Sequence, residues 1–295
     1  MLQLKHGVMQ KPRSGEKWLR GECLTHIMRP RGGDRAILGV PNRYRLGRYG
    51  DRGLADRSLS DRAYGVPVSG GGGGGDISPP SIHLLNSLIS YWKLDEASGT
   101  RADSQGTNNL SVTGSPVGVS SVINNGMQLN GSGQYALATN NASLQVSGDF
   151  TFSFWIRFHS LVSDYLIAKW DGVNNEYVFY FDSVSGFNFG VNLASVIVGS
   201  LPALNAWSHV VGWYDSSDQK VRLRINDANT YVGSSTSATI QAATNFAIGI
   251  RSDLTTPTVN ADFDEIGFWK RKLNAAEITQ LYNSGSGWPF SSFTS

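Results

Sequence analysis

The sequence predicts an all-β protein. Two antiparallel sheets pack as a sandwich over residues 83–290, one short helix lies near the C-terminus, and an extended basic N-terminal arm comes first. Three features lead there. Short stretches alternate apolar and polar residues with the period of a strand. Clusters of Gly, Asn, Asp and Ser separate them at turn-like intervals. Six glycines in SGGGGGGDISPP, residues 69–80, divide the chain. No helix or strand accepts such a run, because each glycine gives up the most backbone freedom and packs nothing in return.

Residues 1–68 show no sustained periodicity, while glycine and arginine are frequent. GDRGL-ADRSL-SDRAY repeats a five-residue unit three times, setting Asp51, Asp56 and Asp61 each beside an arginine. That period suits neither a helix face nor a strand face, and three copies are too few for a solenoid. The segment is read as an arm that buries too little apolar surface to fold alone. Residues 69–82 form a linker, flexible through the glycines and stiffened at Pro79-Pro80. The overall charge of +2 hides an asymmetry. Through Asp76 there are 14 basic and 7 acidic residues, a balance of +7; after it, 11 basic and 16 acidic, a balance of −5.

The strands follow in order. LISYWKL opens the domain. FTFSFWIRF sets Phe150, Phe152, Phe154, Ile156 and Phe158 on one face, with Thr151, Ser153, Trp155 and Arg157 on the other. YLIAKW, YVFYF and WSHVVGWY come next. VRLRIN turns Val221, Leu223 and Ile225 inward and Arg222 and Arg224 outward. NFAIGI precedes the closing strand. Phe152, Phe154, Ile156, Leu223, Ile225 and Phe263 are expected in the core. In NAAEITQLY, Asn274 caps a helix and Glu277 completes a capping box, with Ile278, Leu281 and Tyr282 toward the sandwich. Residues 291–295 are read as a tail.

These segments carry a resemblance. LISYWKLDEASGT and NNGMQLNGSGQYALATNNASLQVSGDFTFSFWIRF resemble the opening half of a laminin-G-like, concanavalin A-like jelly roll. NAWSHVVGWYDSSDQKVRLRINDANTY is similar to its middle hairpin, and ADFDEIGFWKRKLNAAEITQLYNSG to its closing strand and helix. Nearly all of residues 88–285 is covered and none of the first 76. The resemblance implies a two-sheet jelly roll serving carbohydrate or protein binding, in some members with a calcium ion. It also implies packing roles for Trp92, Trp207 and Trp269.

The candidate chemistry is sparse. Jelly-roll glycosidases pair acids on alternate strand positions. In DFDEI, alternation puts Asp262 and Asp264 on one face, Glu265 on the other, and Ile266 where a third acid would stand. A non-enzyme is therefore expected. His209 reads as a packing residue rather than a base, and the lone Cys23 excludes an internal disulfide. By the resemblance, opening and closing strands lie near each other, so Asp95, Asp103 and Asp264 are candidate ligands of a structural calcium ion. The alternative, of equal weight, is that they cap loops. Sugar binding calls for an aromatic platform beside amides and carboxylates. The candidates are Trp170 with Asp171 and Asn174, Trp213 or Tyr214 with Asp215, and Trp155. For any single tryptophan here, packing carries more weight than ligand contact.

No apolar stretch nears the roughly 18 residues that span a membrane, and the N-terminus lacks the apolar run of a secretory signal. No membrane insertion and no export by that route are expected. A domain of extracellular type without such a signal fits a phage or virus particle, assembled inside a cell and released by lysis. The expected function is therefore a non-enzymatic display module on a virion surface, as capsid decoration or a tail- or fibre-associated protein. It would bind a glycan or host surface, in many copies, homo-oligomers included. The alternative is a carbohydrate-binding accessory of an extracellular bacterial glycan-degrading system. Arg31, Arg43, Arg45, Arg48, Arg52, Arg57 and Arg62, with Tyr44, Tyr49 and Tyr64, would hold the arm to a capsid or tail protein through planar forks and rings. Nucleic acid is disfavoured, because the repeats pair arginine with aspartate.

Overall fold

The computed structural model describes residues 82–192, 194–236 and 241–295. Every arm residue singled out above lies outside them. The described chain runs β1 (Leu88–Trp92), β2 (Ser111–Thr113), β3 (Val117–Ser120), β4 (Asn125–Asn130), β5 (Tyr135–Ala138), β6 (Phe150–Phe158), β7 (Asp164–Trp170) and β8 (Asn175–Asp182). It continues through β9 (Gly186–Val191), β10 (Ala194–Val198), β11 (Trp207–Asp215), β12 (Lys220–Ile225), β13 (Tyr231–Ser235), β14 (Phe246–Ile248) and β15 (Asn260–Trp269) to helix α1 (Ala275–Tyr282). One sheet has the order β13-β12-β11-β6-β15-β4-β3, with β1 also on β15; the other is β10-β9-β8-β7-β14-β5-β2. The two central pairs of the first sheet, β11 with β6 and β15 with β6, are antiparallel. The sandwich and its helix stand as the sequence predicts.

The core lies between the sheets and is largely aromatic. Phe152 of β6 stacks on Phe268 of β15 at 4.4 Å, and Phe179 of β8 stacks on Phe189 of β9 at 4.5 Å. Each fully buried ring contributes about 1.5–3 kcal/mol by leaving water. Phe152, Phe154, Ile156, Leu223 and Phe263 are fully buried, and Ile225 packs on the core from its margin.

The outer face of the eight-stranded sheet is roofed. Asn274 accepts from the Glu277 backbone N–H at 3.0 Å while the Glu277 carboxylate accepts from the Asn274 N–H at 2.8 Å, closing the expected capping box. The helix so started lays Ile278 and Leu281 against Val211, Trp213 and Trp269. The last residues complete the roof: Tyr91 sits against Phe290 at 4.9 Å and Phe293 at 5.1 Å. Residues 291–295 thus pack on the domain's opening segment, and the Leu85 N–H donates to the Thr294 carbonyl at 2.9 Å.

One strand departs from alternation. β15 shifts register between Asp264 and Gly267, and Glu265 has φ +48°. Phe263 and Ile266 both point into the core. The bulge therefore turns Asp264 and Glu265 to the same, outer side. The expected placement of Glu265 opposite Asp264 is corrected by that one inserted residue, which a strict period of two cannot anticipate.

Candidate functional site

The outer face of the seven-stranded sheet has no helix over it among the described residues. Here β7, β8 and β9 border a depression of about 300 Å³, lined by rings and amides. Strict alternation would put Tyr165 and Trp170 on opposite faces of β7. The register shift at Tyr165/Ile167 inserts one residue in β7 and brings both to the open face, while the shift at Lys169/Trp170 inserts Glu176 in β8 and brings Asn175 to the same side. Tyr165 then lies 5.6 Å from Trp170 and 4.9 Å from Tyr180, making a tilted aromatic wall.

Arg251 braces this wall from its side, 5.2 Å from the Trp170 ring centre and 5.6 Å from that of Tyr165. Its guanidinium is engaged by Asp253 at 2.9 and 2.6 Å. That hydrogen-bonded pairing pulls the Asp253 carboxyl down to about 2 and pushes the Arg251 guanidinium up. The pair is a charge-balanced strut.

Two residues that line the depression each carry a buried polar atom with no hydrogen-bond partner: the indole Nε1 of Trp170 and the amide Oδ1 of Asn175. Orphaned buried groups are rare in native proteins and call for an explanation. The other half of the Asn175 amide donates to the Asn192 carbonyl at 3.3 Å, which fixes the orientation of Oδ1. Gly190 keeps the floor open. A Cβ there would come within 3.2 Å of Val178 Cγ1 and 3.3 Å of Asn175 Nδ2.

Trp170 is thus the sequence candidate that reaches this site. Asp171 and Asn174 turn toward each other in the β7–β8 connection instead. Asp171 accepts from the Asn174 N–H at 2.6 Å and from its amide at 2.9 Å, bonds that hold its carboxyl below the usual range. Trp155, expected as an outward platform, is corrected: it is 3% exposed, stacked on Tyr282 of α1 at 5.7 Å and tilted against His209 at 4.8 Å. Tyr214 is corrected too, since it lies in the core and donates its hydroxyl to the Thr236 carbonyl at 2.9 Å. Trp213 and Asp215 edge a second depression, at the foot of α1. Trp213 is buried in the roof, and Asp215 accepts from Lys272 at 2.6 Å, so neither is free for a ligand. Sequence reasoning missed Tyr165, Tyr180, Asn175 and Gly190. Tyr180 and Gly190 alternate with core residues in YVFYF and GFNFGV, whereas Tyr165 and Asn175 each stand out of phase across a register shift, which alternation cannot signal.

The acidic candidates serve the fold. Asp103 accepts from the backbone N–H groups of Tyr91, Gln105, Gly106 and Asn108 at 2.9–3.1 Å. Asp95 pairs with Lys93 at 3.1 Å, and Asp264 accepts from Ser121 at 2.5 Å and the Ile123 N–H at 3.0 Å. Among the described residues no group of three or more His, Cys, Asp or Glu could hold a metal ion. Asp95 also accepts from the Asn125 N–H at 3.2 Å, so the bonds these three carboxylates make are those of the loop-capping alternative. Asp262 is buried between Arg157 at 2.7 Å and His159 at 2.9 Å. Glu265 is buried and accepts from the Tyr91 hydroxyl. Burial first, then mutual repulsion, pushes Glu265 up to about 8; burial pushes Asp264 up to about 7. His209 is held neutral by burial, its pKa lowered to about 3, with Ser153 Oγ at 2.8 Å. No helix among the described residues is long and apolar enough to cross a membrane.

The arrangement of two packed antiparallel sheets, one roofed by a helix and one without such a cover among the described residues, defines a lectin/glucanase-like β-sandwich. Its relationship is closer than architecture. The chain belongs to the concanavalin A-like lectin/glucanases superfamily, whose Laminin_G_3 family model matches residues 130–279. Domain 4 of AbnA, a GH43 extracellular arabinanase from Geobacillus stearothermophilus solved in complex with arabinotriose, is similar at TM-score 0.51 and 16% identity, over 65% of this chain and 97% of that one. The binding domain of Paraclostridial Mosquitocidal Protein 1 matches at 0.52 and 17%, over 68% of this chain and 53% of that one. Trypanosoma rangeli sialidase in complex with sialic acid matches at 0.53 and 16%, over 68% of this chain and 34% of that one. The chain thus spans only about half and a third of the last two. At such identities the likeness shows the fold alone, and the similar structures include a binding domain as well as enzymes. No curated protein matches the sequence.

Proposed function

We propose that this protein is a non-enzymatic glycan-binding module and that its ligand sits on the open face of the seven-stranded sheet. The supporting observation is the wall of Trp170, Tyr165 and Tyr180 beside the unpaired Trp170 Nε1 and Asn175 Oδ1. Pyranose rings offer apolar C–H faces to such a wall and hydroxyls to such atoms. The arabinotriose complex of a similar fold supports the same reading. Trp170→Ala in the full chain is expected to weaken glycan binding at least about tenfold, a loss of about 1.4 kcal/mol, with unchanged circular dichroism. Retained affinity would move the site elsewhere.

The absence of catalysis rests on accessibility. Asp262, Asp264 and Glu265 share an outward side, yet all three are buried and engaged by Arg157, Ser121 and Tyr91. A substrate would have to displace these partners to reach a carboxylate. Incubation with β-glucans and arabinans should release no reducing sugar; release that disappears in Asp264→Asn would overturn this.

The mounting is proposed from the arm. Residues 1–68 hold the module to a capsid or tail protein of a phage or virus. The observation behind this is the arginine- and tyrosine-bearing composition of Arg31 to Tyr64, split by the linker from an acidic domain. Deleting residues 1–68 is expected to abolish incorporation into particles co-expressed from the same genome; normal incorporation would sink the anchor.

A further inference from the structure

Among the residues that line the depression none carries a charge. Arg251, the cation against the aromatic wall, has its fork filled by Asp253 and by Thr255 Oγ1 at 2.6 Å. The ring faces of Trp170, Tyr165 and Tyr180 carry the negative side of their quadrupoles. The orphaned acceptor, Asn175 Oδ1, presents a partial negative charge, and the orphaned donor, Trp170 Nε1, is a neutral N–H.

We infer that, if the site binds glycans as proposed, it selects uncharged sugars and discriminates against those bearing a carboxylate. A sugar hydroxyl suits this uncharged lining of rings and amides, where the Trp170 indole and the Asn175 amide supply a neutral donor and a neutral acceptor. A carboxylate has no proton to give Asn175. It would also leave water without meeting a cation, which costs far more than desolvating a hydroxyl. Sialic and uronic acids are therefore excluded by electrostatics, although their ring faces fit the wall. The volume, at the lower end of ordinary ligand cavities, suits a short stretch of sugar rather than a long chain.

The test is a printed array on which each neutral oligosaccharide stands beside its sialylated and its uronic-acid counterpart, probed with the full chain. Hits among neutral members, with acidic counterparts bound about tenfold or more weakly at low and at high salt, are expected. Equal or stronger binding of acidic members would overturn the selectivity while leaving the glycan reading intact. Silence across the array would remove both. A second arm uses Asp253→Asn, which frees the Arg251 fork beside the rings. It should narrow the gap between neutral and acidic partners several-fold. An unchanged gap would show that the charge balance of this strut does not set the selectivity.

Discussion

Between pH 6.5 and 8 the unfolding midpoint is expected to fall as pH rises, through Asp264 and Glu265. Both carboxyls are buried, and burial raises Asp264 from 3.8 to about 7 and Glu265 from 4.5 to about 8. They face each other's charge, Asp95 and Lys93, with Ser121 and Tyr91 hydrogen-bonded to them. The folded chain thus keeps protons that the unfolded chain has released, so stability drops from the ordinary carboxylate range up to the folded values. Each carboxyl that stays protonated contributes a slope on the order of 1.4 kcal/mol per pH unit. Other groups act lower. Burial raises Asp164 from 3.8 to about 6, which adds to the decline only below that value. His209, lowered by burial from 6.5 to about 3, favours higher pH across that window and is silent above it. Asp253, held near 2, loses its contribution only in acid. Urea unfolding at pH 6.5, 7 and 8 measures the slope. The double variant Asp264→Asn with Glu265→Gln should flatten it; an identical slope in that variant would place the titration elsewhere.

Trp155→Ala and Trp170→Ala are expected to part company. Trp155 lies under α1, stacked on Tyr282 and beside its cross-strand partner His209, so its removal opens a cavity that the helix and sheet cannot fill. Such a truncation costs about 3–5 kcal/mol, or roughly 2–4 °C in midpoint per kcal/mol for a domain of this size. The folded fraction should still bind glycan with unchanged affinity. Trp170 is half-buried on the open face, and its loss should cost about 1 kcal/mol of stability while removing binding. If Trp155→Ala instead lost binding at unchanged midpoint, the roofed face would be the ligand platform and the assignment of faces would be reversed.

Both predictions turn on features that local patterning could not carry. The sequence by itself determined which segments are strands and where the helix begins. Alternation in FTFSFWIRF and VRLRI is a property of neighbours in the chain. So is the pairing of Asn274 with Glu277 three residues on, which sets the start of α1 at Ala275. Alternation also told the core from the outside of each sheet, because one face of every strand had to leave water. It could not tell which outside would be roofed. Trp155 and Trp170 are both outward tryptophans; one meets a helix more than a hundred residues later in the chain, and the other meets none. Nor did it reveal register. The shift in β7 that brings Tyr165 and Trp170 to one face, and the bulge in β15 that turns Asp264 and Glu265 the same way, each insert a break in a period of two. Pairing with the neighbouring strand decides whether a residue is accommodated as a bulge, so only the tertiary structure could place the open aromatic wall and the buried acid pair.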